Sequence, residues 1–94
     1  MNSKKNYAVI SGGSGTVGKE ICTSLSKRYN LIILYNKNNP KNILKKKLSL
    51  GNHVFFKCDI SNYKNIKKLI LKIKNINPSI KLLINNASYT KNLN

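Results

Sequence analysis

Residues 11–20 read Ser-Gly-Gly-Ser-Gly-Thr-Val-Gly-Lys-Glu and directly follow the apolar run at 7–10. Strand, glycine turn and helix start together make an anion-binding device. Gly12, Gly13 and Gly15 let the backbone turn sharply and approach a ligand with no Cβ in the way. The helix predicted after the turn carries Val17, Ile21, Leu25 and Tyr29 at helical spacing, as a face buried against a sheet. Its first turn offers unpaired N–H groups and the positive end of the helix dipole to a phosphate. Three readings compete. Gly12, Gly15 and Gly18 fit a dinucleotide fingerprint, serving in turn for the bend, the approach to pyrophosphate and close helix packing. Gly13 to Lys19 fits the mononucleotide pattern G-x-x-x-x-G-K, yet Glu20 stands where that motif needs Ser or Thr to hold magnesium. The third is a tight strand-to-helix turn with no ligand.

The chain of 94 residues suffices for one small domain with a modest core. No apolar run approaches the roughly 20 residues of a membrane-spanning helix. The apolar stretch after Lys4 and Lys5 breaks at Gly12, too early for a secretory signal. Cys22 and Cys58 form no C-x-x-C pair, so the expectation is two free thiols in a cytoplasmic protein. Eighteen Lys and Arg against two Asp and Glu give a net charge of +16. Such basicity invites a nucleic-acid reading. The lysines, however, are spread over every segment, and Arg28 is the one arginine, the side chain preferred for bidentate contacts. Charge of this kind supports only non-specific association. A/T-rich codons for Lys, Asn, Ile and Tyr account for the composition as well as binding does.

Strand and helix signals alternate along the rest of the chain. Residues 31–35, Leu-Ile-Ile-Leu-Tyr, predict a second strand. Residues 41–50 predict a short lysine-rich helix burying Ile43, Leu44, Leu48 and Leu50, closed by Gly51 and Asn52. A third strand follows at 53–58, centred on Val54, Phe55 and Phe56. Ser61 is the expected N-cap of a long helix repeating Ile66, Leu69, Ile70 and Ile73, which Asn77 and Pro78 end. Residues 81–85 predict the fourth strand. Uniformly apolar strands between helices imply an α/β fold with a parallel sheet covered on both faces. Right-handed crossovers then give the strand order 3-2-1-4, the first half of a doubly wound, Rossmann-like domain over residues 1–94.

Ligands of such sheets bind at the carboxyl ends of the strands. Those ends carry the glycine loop, then Asn36, Lys37 and Asn38, then Asp59 and Ile60, then Asn85, Asn86, Ala87 and Ser88. A magnesium-dependent mononucleotide site has a use for Asp59 but none for Asn85-Asn86-Ala87.

The run Ser11 to Gly18, the pair Asp59-Ile60 and the triplet Asn85-Asn86-Ala87, in this order and spacing, resemble the short-chain dehydrogenase/reductase family. The resemblance spans essentially all 94 residues, as the amino-terminal half of such an enzyme, and is greatest to members of the 3-oxoacyl-[acyl-carrier-protein] reductase type. It implies an NAD(P)-dependent oxidoreductase that reduces a carbonyl to an alcohol. By the same resemblance, Gly12, Gly13, Ser14 and Gly15, with Thr16, Val17 and Gly18, cradle the cofactor pyrophosphate. Asp59 binds the adenine amino group and Ile60 flanks the ring. Asn86 and Ala87 line the site beside the ribose, and Asn85 ties the central strands together. No acid stands between Leu31 and Lys41 to bind a ribose 2′-hydroxyl, whereas Lys37 offers a cation to a 2′-phosphate. NADP is therefore the expected cofactor, with NAD as the alternative.

The sequence also departs from the family pattern. Ser11 and Thr16 stand where standard-length members usually carry Thr and Gly, and Gly15 is placed as in the longer, epimerase-like branch. Ser88 replaces the usual Gly, as in pteridine-reductase-like members. The family's catalytic Ser, Tyr and Lys lie beyond the fourth strand. Tyr89 is followed by Thr90, Lys91, Asn92 and Leu93, which make no Tyr-x-x-x-Lys pair, and Tyr7 and Tyr63 fall on other segments. No catalytic residue is assigned, and no metal site. The expectation is a truncated or split reductase, inactive alone, whose open fourth strand favours association with a separate carboxyl-terminal half or a second copy. A stand-alone nucleotide-binding or regulatory module and a basic nucleic-acid-binding protein are the alternative classes.

Overall fold

The structure, a computed structural model, describes residues 6–86. Seven elements alternate along the chain: β1 (Asn6–Ser11), α1 (Thr16–Leu25), β2 (Asn30–Tyr35), α2 (Lys41–Leu44), β3 (Val54–Lys57), α3 (Tyr63–Ile76) and β4 (Ser79–Asn85). The strands form one parallel sheet in the order β3-β2-β1-β4, as the crossover rule requires. Because side chains alternate across a strand, β1 and β2 feed two separate apolar layers. Ala8, Ile10, Leu31 and Ile33 pack with Cys22 of α1 and Leu44 of α2. Tyr7, Val9, Ile32 and Leu34 pack with Cys58 and with Leu69 of α3. Two-sided burial is why these strands read as continuous apolar runs.

Three elements differ from the sequence expectation, each for a local reason. In α1 the buried stripe runs through Gly18 and Cys22, while Val17 is 62 % exposed and Ile21 half-buried. The helix is turned so that Gly18 meets the glycine loop, where a Cβ would collide with the Gly12 carbonyl oxygen. In the segment after β2, only residues 41–44 are helical, and Leu44 is buried as expected. Beyond it the chain is held by side chains: Ser49 N–H donates to Ser26 Oγ at 2.9 Å, and Asn52 N–H donates to Asn30 Oδ1 at 2.9 Å. That path half-buries Leu48 and leaves Ile43 exposed, with Leu50 97 % exposed. In α3 the N-cap is Asn62 rather than Ser61: its Oδ1 accepts from Lys64 N–H at 2.9 Å and Asn65 N–H at 3.2 Å. Asn77 ends α3 in the left-handed conformation, φ 51°, and its N–H donates to the Ile73 and Lys74 carbonyls.

The strand ends are adjusted too. His53 lies outside β3 because its ring is used as a clip. Leu31 N–H donates to Nδ1 at 3.0 Å, so Nε2 carries the hydrogen and donates to Ser49 O at 2.7 Å. β4 starts at Ser79, earlier than the apolar run implies, and a register shift opposite Tyr7/Ala8 leaves Lys81 unpaired with β1. Leu83 of β4 is 71 % exposed. Cys22 and Cys58 are both free and buried. Among the described residues no helix is long and apolar enough to cross a membrane.

The contact at Gly18 yields a stability prediction. Gly18→Ala forces its methyl group into the Gly12 carbonyl and should destabilise the fold by about 1–3 kcal/mol or more. Gly15→Ala, whose Cβ meets nothing within 4 Å, should cost under about 1 kcal/mol. Urea unfolding of the two variants measures the difference, and equal costs would contradict the packing described.

Candidate functional site

The site begins where β1 ends. Gly12 takes φ 74°, the left-handed region that favours glycine, and reverses the chain toward α1. Gly13 packs behind the turn: a Cβ there would lie 2.5 Å from Ile33 Cγ2, and its N–H donates to Leu34 O at 3.2 Å. Gly15 is the N-cap residue of α1, which has no side-chain cap and no acid in its first turn. The first bond of the helix runs from Lys19 N–H to Gly15 O at 2.9 Å. The N–H groups of Thr16, Val17 and Gly18 therefore have no backbone acceptor among the described residues. A ten-residue helix thus starts with free donors and an open surface over Gly15. That is the arrangement a phosphate needs.

The end of β4 holds this turn in place. Ser11 Oγ donates to Asn85 Oδ1 at 2.8 Å, and Asn86 N–H donates to Ser11 O at 3.3 Å. Asn86 Nδ2 also donates to Gly12 O at 3.2 Å. The same carbonyl that excludes a side chain at Gly18 is therefore fixed from its other side by an amide.

Beside the turn, the carboxyl ends of β1, β2 and β3 open onto a cleft of about 300 Å³. Ser11, Gly12 and Ser14 contribute from the first strand end, Leu34, Tyr35 and Asn36 from the second, and residues 58–61 from the third. Four of the residues expected from sequence meet here: Gly12, Ser14, Asp59 and Ile60. Gly15, Thr16 and Val17 lie on the exposed start of α1, and Gly18 lies beneath it. Lys37 is exposed, next in sequence to the lining residue Asn36 but not itself part of the wall. Ala87, Ser88 and the Tyr89–Leu93 stretch lie outside the described residues. Asn36, named from its strand end, lines the cleft, and so do Leu34, Tyr35, Cys58 and Ser61, none of which is a site candidate by sequence. Their position at strand ends was the available signal, since every carboxyl end of such a sheet borders the ligand crevice.

Asp59 is the only acid in this wall. Its Oδ1 accepts from the Ser61 hydroxyl at 2.6 Å and from Ser61 N–H at 3.0 Å. Those two bonds, the hydroxyl first, hold its carboxyl below the usual carboxylate range, against a small opposing effect of burial. The turn is closed by Asn62 N–H donating to Asp59 O at 2.9 Å. Burial raises the pKa of the neighbouring Cys58 thiol, and the Asp59 charge adds to that, with Lys72 opposing. Cys22 is pushed up to about 11 by burial. Neither thiol is set up as a nucleophile. Among the described residues no three His, Cys, Asp or Glu side chains gather as a metal site would require.

A titration follows from the Asp59 contacts. Its folded-state pKa lies below the unfolded value, so the pair stabilises the fold above ordinary carboxylate pKa values. That contribution is lost as pH falls through the depressed pKa. Carboxyl-carbon NMR should show Asp59 titrating below a normal aspartate, and Ser61→Ala should move it upward. An unmoved value would mean the hydroxyl does not hold the carboxylate.

Comparison with known proteins agrees with this geometry. The short chain dehydrogenase family profile matches residues 6–94. An uncharacterized oxidoreductase of Saccharomyces cerevisiae is 32% identical over 85 residues, covering 90% of this chain and 27% of its own length. The (-)-isopiperitenone reductase of Mentha piperita is 26% identical over 94 residues, covering 93% of this chain and 30% of its own. The chain thus spans under a third of the length of the curated relatives it matches. With a profile match along almost the whole chain and the parallel sheet order to go with it, this protein belongs to the short-chain dehydrogenase/reductase family, whose NAD(P)-binding amino-terminal portion it represents.

Proposed function

We propose that this chain binds NADP(H) in the crevice between the glycine turn and Asp59, and serves the reduction of a carbonyl to an alcohol in the enzyme whose amino-terminal portion it forms. The observation that carries this reading is the start of α1, where three N–H groups have no acceptor among the described residues and no non-neighbouring atom lies within 4 Å of a Cβ at Gly15. A pyrophosphate fits that cradle by charge and by space. The adjoining cleft of about 300 Å³ is of the size that takes a small-molecule moiety, here the adenosine end. Asp59 accepts from the adenine amino group and Ile60 covers the ring. Asn86 keeps the turn fixed through Gly12 O while leaving the donors of α1 free.

The preference for NADP over NAD is supported by the end of β2. No acid occurs there to accept from a 2′-hydroxyl, and the exposed Lys37 stands one residue beyond the lining residue Asn36. The bound dinucleotide supplies the hydride, and the residues described here bind and orient it. The narrower expectation of a 3-oxoacyl thioester as substrate has no counterpart in the names of the two relatives, one an oxidoreductase and the other a reductase. The proposed substrate class is therefore a carbonyl compound.

Nicotinamide fluorescence of the full chain tests the cofactor. NADPH should bind more tightly than NADH by about tenfold, since a phosphate–lysine contact is a charge-assisted bond. Lys37→Ala should weaken NADPH and leave NADH unchanged. Absence of NADPH binding at millimolar concentration would overturn the proposal.

A further inference from the structure

The Ser61 hydroxyl is placed where a helix cap is expected, yet it caps nothing. Asn62 takes that role with two bonds of its own. Ser61 instead turns both of its donors, hydroxyl and backbone N–H, onto a single oxygen of Asp59, Oδ1. No donor reaches the other oxygen, Oδ2, among the described residues, and both Asp59 and Ser61 line the cleft. A free aspartate rotates broadly about its last torsion, and its two oxygens are equivalent. Here they are made unequal. One is satisfied within the protein; the other is held in a fixed direction as an acceptor.

We propose that Ser61 is a positioning residue that makes the cleft select 6-aminopurines over 6-oxopurines, by reserving Oδ2 of Asp59 for an exocyclic amino group. Resting on the dinucleotide reading above, the proposal adds a specificity that reading does not contain. An ionised carboxylate only accepts hydrogen bonds. An amino group at purine C6 gives Oδ2 a donor, whereas an oxo group brings a second acceptor against a negative charge. Pre-orientation matters because a carboxylate that must be ordered on binding gives up part of the bond it gains. Ser61 lies before the cap of α3, so losing its hydroxyl leaves the Asn62 bonds to the helix in place.

The test compares NADPH with its reduced hypoxanthine counterpart, which carries oxygen for the amino group at C6 and, with it, a hydrogen on N1. Dissociation constants come from nicotinamide fluorescence, which reads the other end of the molecule. The full chain should prefer the adenine form by about tenfold, the value of one charge-assisted hydrogen bond. Ser61→Ala should lower the preference to about threefold or less by weakening the adenine form alone, because one of two donors to Oδ1 remains. Ser61→Thr, which keeps the hydroxyl, should restore it. Asp59→Asn should bring the ratio near one, since an amide can donate to the oxo group. A Ser61→Ala variant that weakens both ligands equally, with the ratio unchanged, would reduce Ser61 to a structural role and overturn the proposal. An unmodified chain that binds both forms equally would overturn it as well, leaving the cofactor reading intact. Binding of neither form would remove both.

Discussion

The approach of α1 to the Gly12 carbonyl is the contact on which the rest of the site depends. No side chain fits at Gly18, so the helix axis comes close to the end of β1. Closeness fixes direction. The first turn of α1 begins beside the strand end, with Ser14 in the cleft wall and Gly15, Thr16 and Val17 exposed next to it. The rotation that brings Gly18 inward also carries Val17 outward, so the stripe packed on the sheet runs through Gly18, Cys22 and Leu25. Asn86, just past β4, then bonds the same carbonyl, so one backbone oxygen links the ends of β1 and β4, the turn and the helix.

Elsewhere polar side chains do the work that regular structure does in larger domains. Asn30 and Ser26 hold the path from α2 to β3, and the His53 ring links the start of β2 to Ser49. Asn62 and Asn77 cap the two ends of α3, and Asn85 and Asn86 clasp β1. An asparagine-rich composition that says nothing of function in the linear sequence is thus used at turns and caps. A short side chain with one acceptor and one donor amide suits those places, since it pairs the backbone groups that helices and strands leave over. The lysines form the complementary set: among the described residues none lies in the core.

The alternation of apolar strand and amphipathic helix was legible because two-sided burial leaves a strong signal in β1 and β2. The strand order followed from right-handed crossovers in a doubly wound sheet. The glycine turn, Asp59 and Ile60 were legible because each sits at a strand end, where chain direction fixes what borders the crevice. Less legible were features in which two local solutions were nearly equal. Ser61 and Asn62 are both good caps, and the choice fell to Asn62 because the Ser61 hydroxyl had a carboxylate two residues away. Leu50 matches a helical stripe, yet the chain is drawn off that helix by bonds to Ser26 and Asn30, far away in sequence.

The sequence by itself determined the parallel α/β architecture, its strand order and the residues at each strand end, because these depend on hydrophobic period, glycine placement and the handedness of the chain. Only the tertiary structure decided how those residues divide their bonds. Among the described residues, it gave Gly13's N–H to β2 and left those of Thr16, Val17 and Gly18 free, and it set Oδ1 of Asp59 against Ser61 and kept Oδ2 open. The physical reason is that a hydrogen-bonding group commits to whichever partner the packing of distant segments brings within about 3 Å of it. No local pattern of residues records that distance.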